Sequence, residues 1–270
     1  MLDRTGQCRG PVVGLLDLLE EVEGLVVLEG ADSPRSHVGP SSPAALARCA
    51  GLTTHASEPQ RAAHPRHNGS VSTSRRDIWN ERYSGTDRVW SATPNKDVAA
   101  IVGDLPPGRA IDLGAGEGRH AIWLAERGWT VTAVDYADAG LDRGRREATE
   151  RGVAEAITWV VEDVTEWEPS PAENDTGAYD LVLIAFLHVP EDVFTRAREW
   201  LAPGGHLVVV GHALRNLTDG HGGPQDPTLL HSPEQLRQKA AGLTVLRAEE
   251  VERVTDSGER AIDVVLVATR

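Results

Sequence analysis

The chain has 270 residues, a formal net charge of −14 and two cysteines, Cys8 and Cys49. The acidity argues against a nucleic-acid backbone as the main partner, and two cysteines alone build neither a disulfide framework nor a zinc site. The apolar stretch from Pro11 to Leu28 is broken by Asp17, Glu20, Glu21 and Glu23, too short and too acidic for a bilayer span or a signal peptide, so a cytoplasmic protein without membrane attachment is expected.

Residues 1–72 read as an N-terminal extension without a packed core. No aromatic residue occurs before Trp79, while Ser33-Pro34 and Gly39-Pro40-Ser41-Ser42-Pro43 punctuate the segment densely. Such a composition buries too little apolar surface to offset its chain entropy. Met1 is the only methionine, and Val71 is suited to a valine-codon start, so residues 1–70 are equally readable as an over-extended gene start or a flexible tail. The domain proper is expected over residues 75–270.

From Trp79 onward short apolar runs alternate with helical segments. Ala110–Leu113 reads as a buried strand ended by glycines, and Arg119–Arg127 as a helix stopped at Gly128. Thr130–Val134 is a second strand, Asp138–Arg151 a second helix and Ala156–Val161 a third strand. Arg143, Arg145 and Arg146 read as a solvated face of that second helix. Leu181–Phe186 is a continuous apolar strand suited to cover on both faces. Glu191–Trp200 is a helix, and His206–Val210 a fifth strand after the turn Pro203-Gly204-Gly205. A helix from Pro233 to about Ala241 precedes two strands, near Leu243–Val251 and Ala261–Ala268, close enough for an antiparallel pair. The fold class is therefore α/β, a doubly wound and mostly parallel sheet with ligands at the carboxyl ends of its strands.

The strongest local signal is Asp112-Leu113-Gly114-Ala115-Gly116-Glu117-Gly118, between a strand and a helix. Glycines let the chain turn sharply and let a ligand touch backbone. Asp135 ends the next strand, where a carboxylate can accept both hydroxyls of a ribose. A dinucleotide loop spaces its glycines G-x-G-x-x-G. Here the third comes one residue early, and Asp112 and Glu117 put negative charge where a pyrophosphate would sit. A cationic sulfonium with an amino-acid tail suits these acids better.

These residues resemble motif I of the class I methyltransferases that use S-adenosylmethionine (SAM), in a seven-stranded Rossmann-like fold. The resemblance implies that Asp112, Gly114, Ala115, Gly116 and Gly118 contact the methionine part of SAM, and that Asp135, followed by Tyr136, holds the ribose. Glu162-Asp163-Val164 resembles the adenine-recognition motif, implying Asp163 and Val164. Leu201–Leu207 resembles the family's turn into the fifth strand. Trp79, Arg82, Tyr83, Trp90 and Pro94 resemble the leading segment of small-molecule methyltransferases of the tellurite-resistance and thiopurine type. There it folds over SAM as a lid, implying cofactor contacts from Trp79 and Tyr83. The plain alternative is aromatic packing of a helix onto the sheet.

Acceptor-side residues are expected at the ends of the fourth and fifth strands. His188 is the candidate base, with a structural role as its alternative. His212, Asn216 and His221 are candidate substrate contacts in a long glycine-rich stretch. No metal is assigned, since the histidine separations match no compact ligand motif. The expected function is methyl transfer from SAM to a small-molecule acceptor. The alternatives are a non-catalytic SAM-binding regulatory protein and, less favoured by the glycine spacing, a nicotinamide-dependent oxidoreductase.

Overall fold

The computed structural model describes residues 74–85, 87–169, 179–190, 192–255 and 257–270. The expectation for residues 1–72 lies outside the described residues. Strand β1 (Arg109–Leu113) is buried on both faces, and its alternate side chains feed two separate cores. Ile111 and Leu113 join Val182, Ile184, Leu207, Val209 and Leu266 on one side of the sheet. Ala110 joins Leu181, Leu183, Val208, Val210 and Val265 on the other. Both faces being covered is why these strands read as unbroken apolar runs.

The remaining strands are β2 (Thr130–Asp135), β3 (Ile157–Val161), β4 (Tyr179–Ala185), β5 (Leu201–His212), β6 (Thr244–Val254) and β7 (Arg260–Thr269). They form one seven-stranded sheet in the order β3-β2-β1-β4-β5-β7-β6. The first five strands of that order run parallel, and β7 runs antiparallel to both β5 and β6. The carboxyl ends of β1, β2, β4 and β5 therefore share one edge, as the sequence predicts.

Two helices precede the sheet. Helix α1 (Arg75–Tyr83) starts with a capping box in which Ser74 and Asp77 satisfy each other's backbone N–H groups. Helix α2 (Lys96–Val102) is capped by Asn95, whose Oδ1 accepts from Asp97 and Val98. Helix α3 (Arg119–Ala125) follows β1, α4 (Asp138–Glu150) follows β2, and α5 (Val193–Glu199) follows β4. Beyond β5 come a single turn α6 (Asn216–Asp219) and α7 (Pro233–Lys239).

One boundary departs from expectation. The turn Pro203-Gly204-Gly205 does not precede β5 but lies inside it as an irregularity. Tyr179 pairs with Leu201, while Leu181 pairs with His206, so the extra residues are bulged out. Gly204, at φ +81°, supplies the positive φ that the bulge needs.

Candidate functional site

The glycine turn leaves β1 with three positive-φ residues, Gly114 at +74°, Gly116 at +55° and Gly118 at +74°. The N–H groups of Gly114 and Ala115 donate to the Val134 carbonyl at 2.9 and 3.1 Å, which pins the turn to β2. Added Cβ atoms would meet different neighbours. At Gly114 the Cβ would fall 2.9 Å from Leu187 Cδ1, and at Gly116 it would fall 2.7 Å from the Tyr83 hydroxyl. At Gly118 it would overlap Trp159, which also lies against Gly144. The third glycine, expected as a cofactor contact, thus lacks a side chain because an indole packs there.

Asp112 is 1% exposed beneath the turn, and its Oδ2 is buried without a hydrogen-bond partner. Burial pushes its pKa up to about 7, against the pull of the Arg119 charge and a backbone hydrogen bond from Ala121. A ligand with an ammonium or sulfonium group would meet that orphaned acceptor. Asp135 accepts from Gly116 N at 2.9 Å and from Ala137 N at 2.8 Å. Burial raises its pKa as well, with Asp163 adding to the effect. Asp163 is held by Thr165, whose N–H and hydroxyl both donate to its Oδ1. Tyr136 is half-buried beside Asp135, and burial followed by that charge lifts its pKa to about 12. Asp112, Asp135, Asp163 and Tyr136 therefore cluster along the carboxyl ends of β1, β2 and β3. A glycine cradle flanked by carboxylates fits a cationic nucleoside.

Val164, expected beside Asp163 at the adenine, has its side chain 2% exposed within the apolar core and would meet a ligand through its backbone alone. Glu117 is a correction, because it adds no free negative charge to the turn. It is 1% exposed, pairs with Arg143 at 2.9 Å and accepts from the N–H groups of Val89 and Trp90. Its role is to anchor the N-terminal aromatic segment. Arg143 also bonds the carbonyls of Gly85 and Asp87, and Arg88 pairs with Glu147. Arg143 therefore does not belong to a solvated face.

That segment does lie over the glycine turn. Tyr83 is 5% exposed, and its hydroxyl accepts from Trp90 Nε1 at 3.1 Å. Burial and the charge of Asp135 hold that hydroxyl above its ordinary pKa. Trp79 stacks on Tyr83 at 5.5 Å, and Asn80 Oδ1 accepts from Ala139 N at the start of α4. The helix-packing alternative is met on α4, with the Tyr83 hydroxyl reaching the turn at Gly116. His120, which sequence reasoning passed over, accepts from Asn95 N and so fixes the way into α2. Burial, with Arg119 adding to it, keeps its pKa well down and its ring neutral.

On the acceptor side, β4 is followed by Phe186 with φ +56°, the one non-glycine positive φ among the described residues. This places Leu187 against Gly114 and turns His188 toward His212, ring centroids 5.4 Å apart. His188 is half-buried, its Nε2 enclosed and unpartnered, and desolvation, then His212 and His231, drives its pKa down to about 3. A ring whose pKa lies so low is a weak base. Asn216 is not free for substrate. Its Oδ1 accepts from Ile262 N at 2.7 Å and its Nδ2 donates to the Gly222 carbonyl at 2.7 Å. His221 is exposed and pairs with Glu259 at 2.6 Å, outside the cluster. Of the three expected substrate contacts, only His212 faces the shared edge. Sequence reasoning missed Asp263, 3.4 Å from His212 Nδ1, whose signal was a lone carboxylate inside the apolar run Ile262-Asp263-Val264.

Among the described residues no helix is long and apolar enough to cross a membrane. A family model described as a methyltransferase domain matches residues 110–205. Trans-aconitate 2-methyltransferase of Rhizobium meliloti (strain 1021) is 36% identical over 124 residues, 43% of each chain. The tRNA 5-carboxymethoxyuridine methyltransferase of Escherichia coli (strain K12) is 26% identical over 140 residues, covering 47% of this chain and 51% of that protein. The chain thus spans about half the length of these curated relatives. Among solved structures, TehB from Haemophilus influenzae superposes with a TM-score of 0.52 at 18% identity, over 72% of this chain and 66% of that one. Residues 110–205 thus match a methyltransferase domain, and the sheet order with the likeness to TehB gives the chain the class I methyltransferase fold.

Proposed function

We propose that the protein transfers a methyl group from SAM to a small-molecule acceptor by in-line displacement. The observation that carries this reading is the juxtaposition, on one sheet edge, of the carboxylate-flanked glycine turn with the walled cluster Phe186, His188 and His212. Asp112 would meet the cationic end of SAM, Gly114, Ala115 and Gly116 would line its path, and Asp135 with Asp163 would take its hydroxyl and amine groups. SAM supplies a methyl carbon already activated by sulfonium. The chain need only orient the acceptor and exclude water, and orientation alone lowers such barriers by on the order of 7–11 kcal/mol.

The small-molecule assignment draws on the cover. Tyr83 and Trp90 lie over the turn with Trp79 packed against both, and the net charge of −14 opposes phosphate-rich polymers. Calorimetry with SAM, followed by S-adenosylhomocysteine release across phenols, amines, thiols, metalloid oxyanions and unmodified tRNA, tests the reading. Release with a small acceptor and none with tRNA is expected. Tight SAM binding without release from any acceptor would favour the regulatory alternative, and turnover of tRNA alone would refute the acceptor class.

A further inference from the structure

The carboxyl end of β5 meets the two antiparallel strands in a chain of side chains that the glycine turn does not require. His212 closes β5 with its Nδ1 3.4 Å from Asp263 Oδ1. Asp263 is wholly buried on β7 and accepts from Arg253 of β6 at 2.7 Å (Nε to Oδ2) and 3.4 Å (Nη2 to Oδ1). Burial works against its charge, yet His212 and Arg253 hold its pKa below the ordinary carboxylate value.

The His212 ring is fixed from several sides. His188 stacks on it with an interplanar angle of 17°, and Phe186 meets it edge-on at 5.3 Å. Gly223, at φ +80°, lies so close that a Cβ would fall 2.6 Å from Cδ2. Asn216 holds the Gly222 carbonyl and so sets that close approach. Nδ1 is buried with no hydrogen-bond partner while the Asp263 carboxylate faces it, so a proton on Nδ1 would complete that contact and leave Nε2 as the acceptor. The 3.4 Å separation is long for a hydrogen bond, as such contacts often are before a substrate is bound.

We propose that His212 is the catalytic base for an acceptor bearing an O–H or N–H proton, and that Asp263 is the positioning residue that orients it. The inference rests on the methyl-transfer reading and narrows its acceptor to the protic class. In the step, an electron pair of the acceptor's oxygen or nitrogen forms the new bond to the methyl carbon. The carbon–sulfur pair stays on sulfur, leaving a neutral thioether, and the acceptor's proton passes to His212 Nε2. The imidazolium so formed faces Asp263, with Arg253 behind it. The other charged or titratable groups around the pair are His188, His231 and Arg119, the last 5.9 Å above the Phe186 ring. His188 stays neutral and does not compete for the proton.

The test uses full-length protein with SAM added. Ring nitrogen shifts of 15N-histidine report the tautomer, and His212 is expected as Nδ1–H in the wild type. Asp263→Asn should shift it toward Nε2–H. Gly223→Ala, which pushes the ring while keeping the buried charge, should do the same if Asp263→Asn fails to fold. A His212 already in the Nε2–H form, or one indifferent to both changes, overturns the proposal. With catechol as probe, His212→Gln should lose about 100-fold or more in kcat and flatten the fall in rate toward acid pH. SAM affinity should stay unchanged. Equal kcat in the variant, or turnover of thiophenol without catechol, sinks the base assignment and leaves methyl transfer standing. Failure of the wild type to bind SAM strikes the underlying reading instead.

Discussion

Replacing Asp112 by Asn keeps the shape beneath the glycine turn and removes its ionisation. The wild-type carboxyl has a pKa of about 7 in the fold, raised foremost by burial, against about 3.9 in an unfolded chain. Because the folded value is the higher, the native state holds the proton more tightly, and stability falls as pH rises from about 4 to about 7. Integrated between pH 5 and pH 8, this linkage costs the wild type about 3 kcal/mol that Asp112→Asn does not lose. Urea unfolding of both proteins without ligand, at pH 5, 6, 7 and 8, measures it, since every other titrating group is common to the two. The gap should widen steadily in favour of the variant, while calorimetry shows weakened SAM binding because the orphaned Oδ2 is lost. Parallel stability profiles across that range would falsify the picture of a strained, ionised carboxylate waiting for a cation.

Asp135→Ala removes a carboxylate that also holds Gly116 N and Ala137 N. SAM affinity should fall at least tenfold by calorimetry, as expected for loss of charge-assisted hydrogen bonds. Gly116→Val, which drives a side chain into the Tyr83 hydroxyl, should weaken SAM binding at least as much, and unchanged affinity in both folded variants contradicts the site. Gly144→Ala sets a Cβ 2.5 Å from Trp159 Cη2 and should cost about 1–3 kcal/mol in denaturant melts, whether or not SAM is present. Glu117→Gln strips Arg143 of its buried partner and should cost about 3 kcal/mol. It should also speed proteolysis near Arg88, and a cleavage rate equal to wild type would show that Glu117 does not anchor the segment.

The strands and the glycine turn were legible because both write themselves locally: apolar runs for doubly covered strands, glycines where φ turns positive. Helices α1 and α2 carried readable caps, Ser74 with Asp77 and Asn95 with its following N–H groups, but too short an apolar period to stand out. The acceptor side was harder, because proximity there comes from strands distant in sequence. His188 and His212 look alike in the chain, and only packing against His231 and Asp263 separates a ring kept neutral from one facing a carboxylate. Asn216 and His221 sit in a polar, glycine-rich stretch that resembles a binding loop. The amide turns out to be spent on β7 and the imidazole on Glu259. Val164 follows a motif residue, yet the backbone turns it inward.

The Tyr83 hydroxyl resting on Gly116 has a kinetic consequence. If α1 swings aside to admit a molecule to that turn, association should be slower than diffusion and nearly insensitive to ligand concentration once opening limits it. Departure would answer to the same hinge. Loosening the Arg143 and Glu117 latch should therefore quicken both rates together while leaving the equilibrium constant almost where it was.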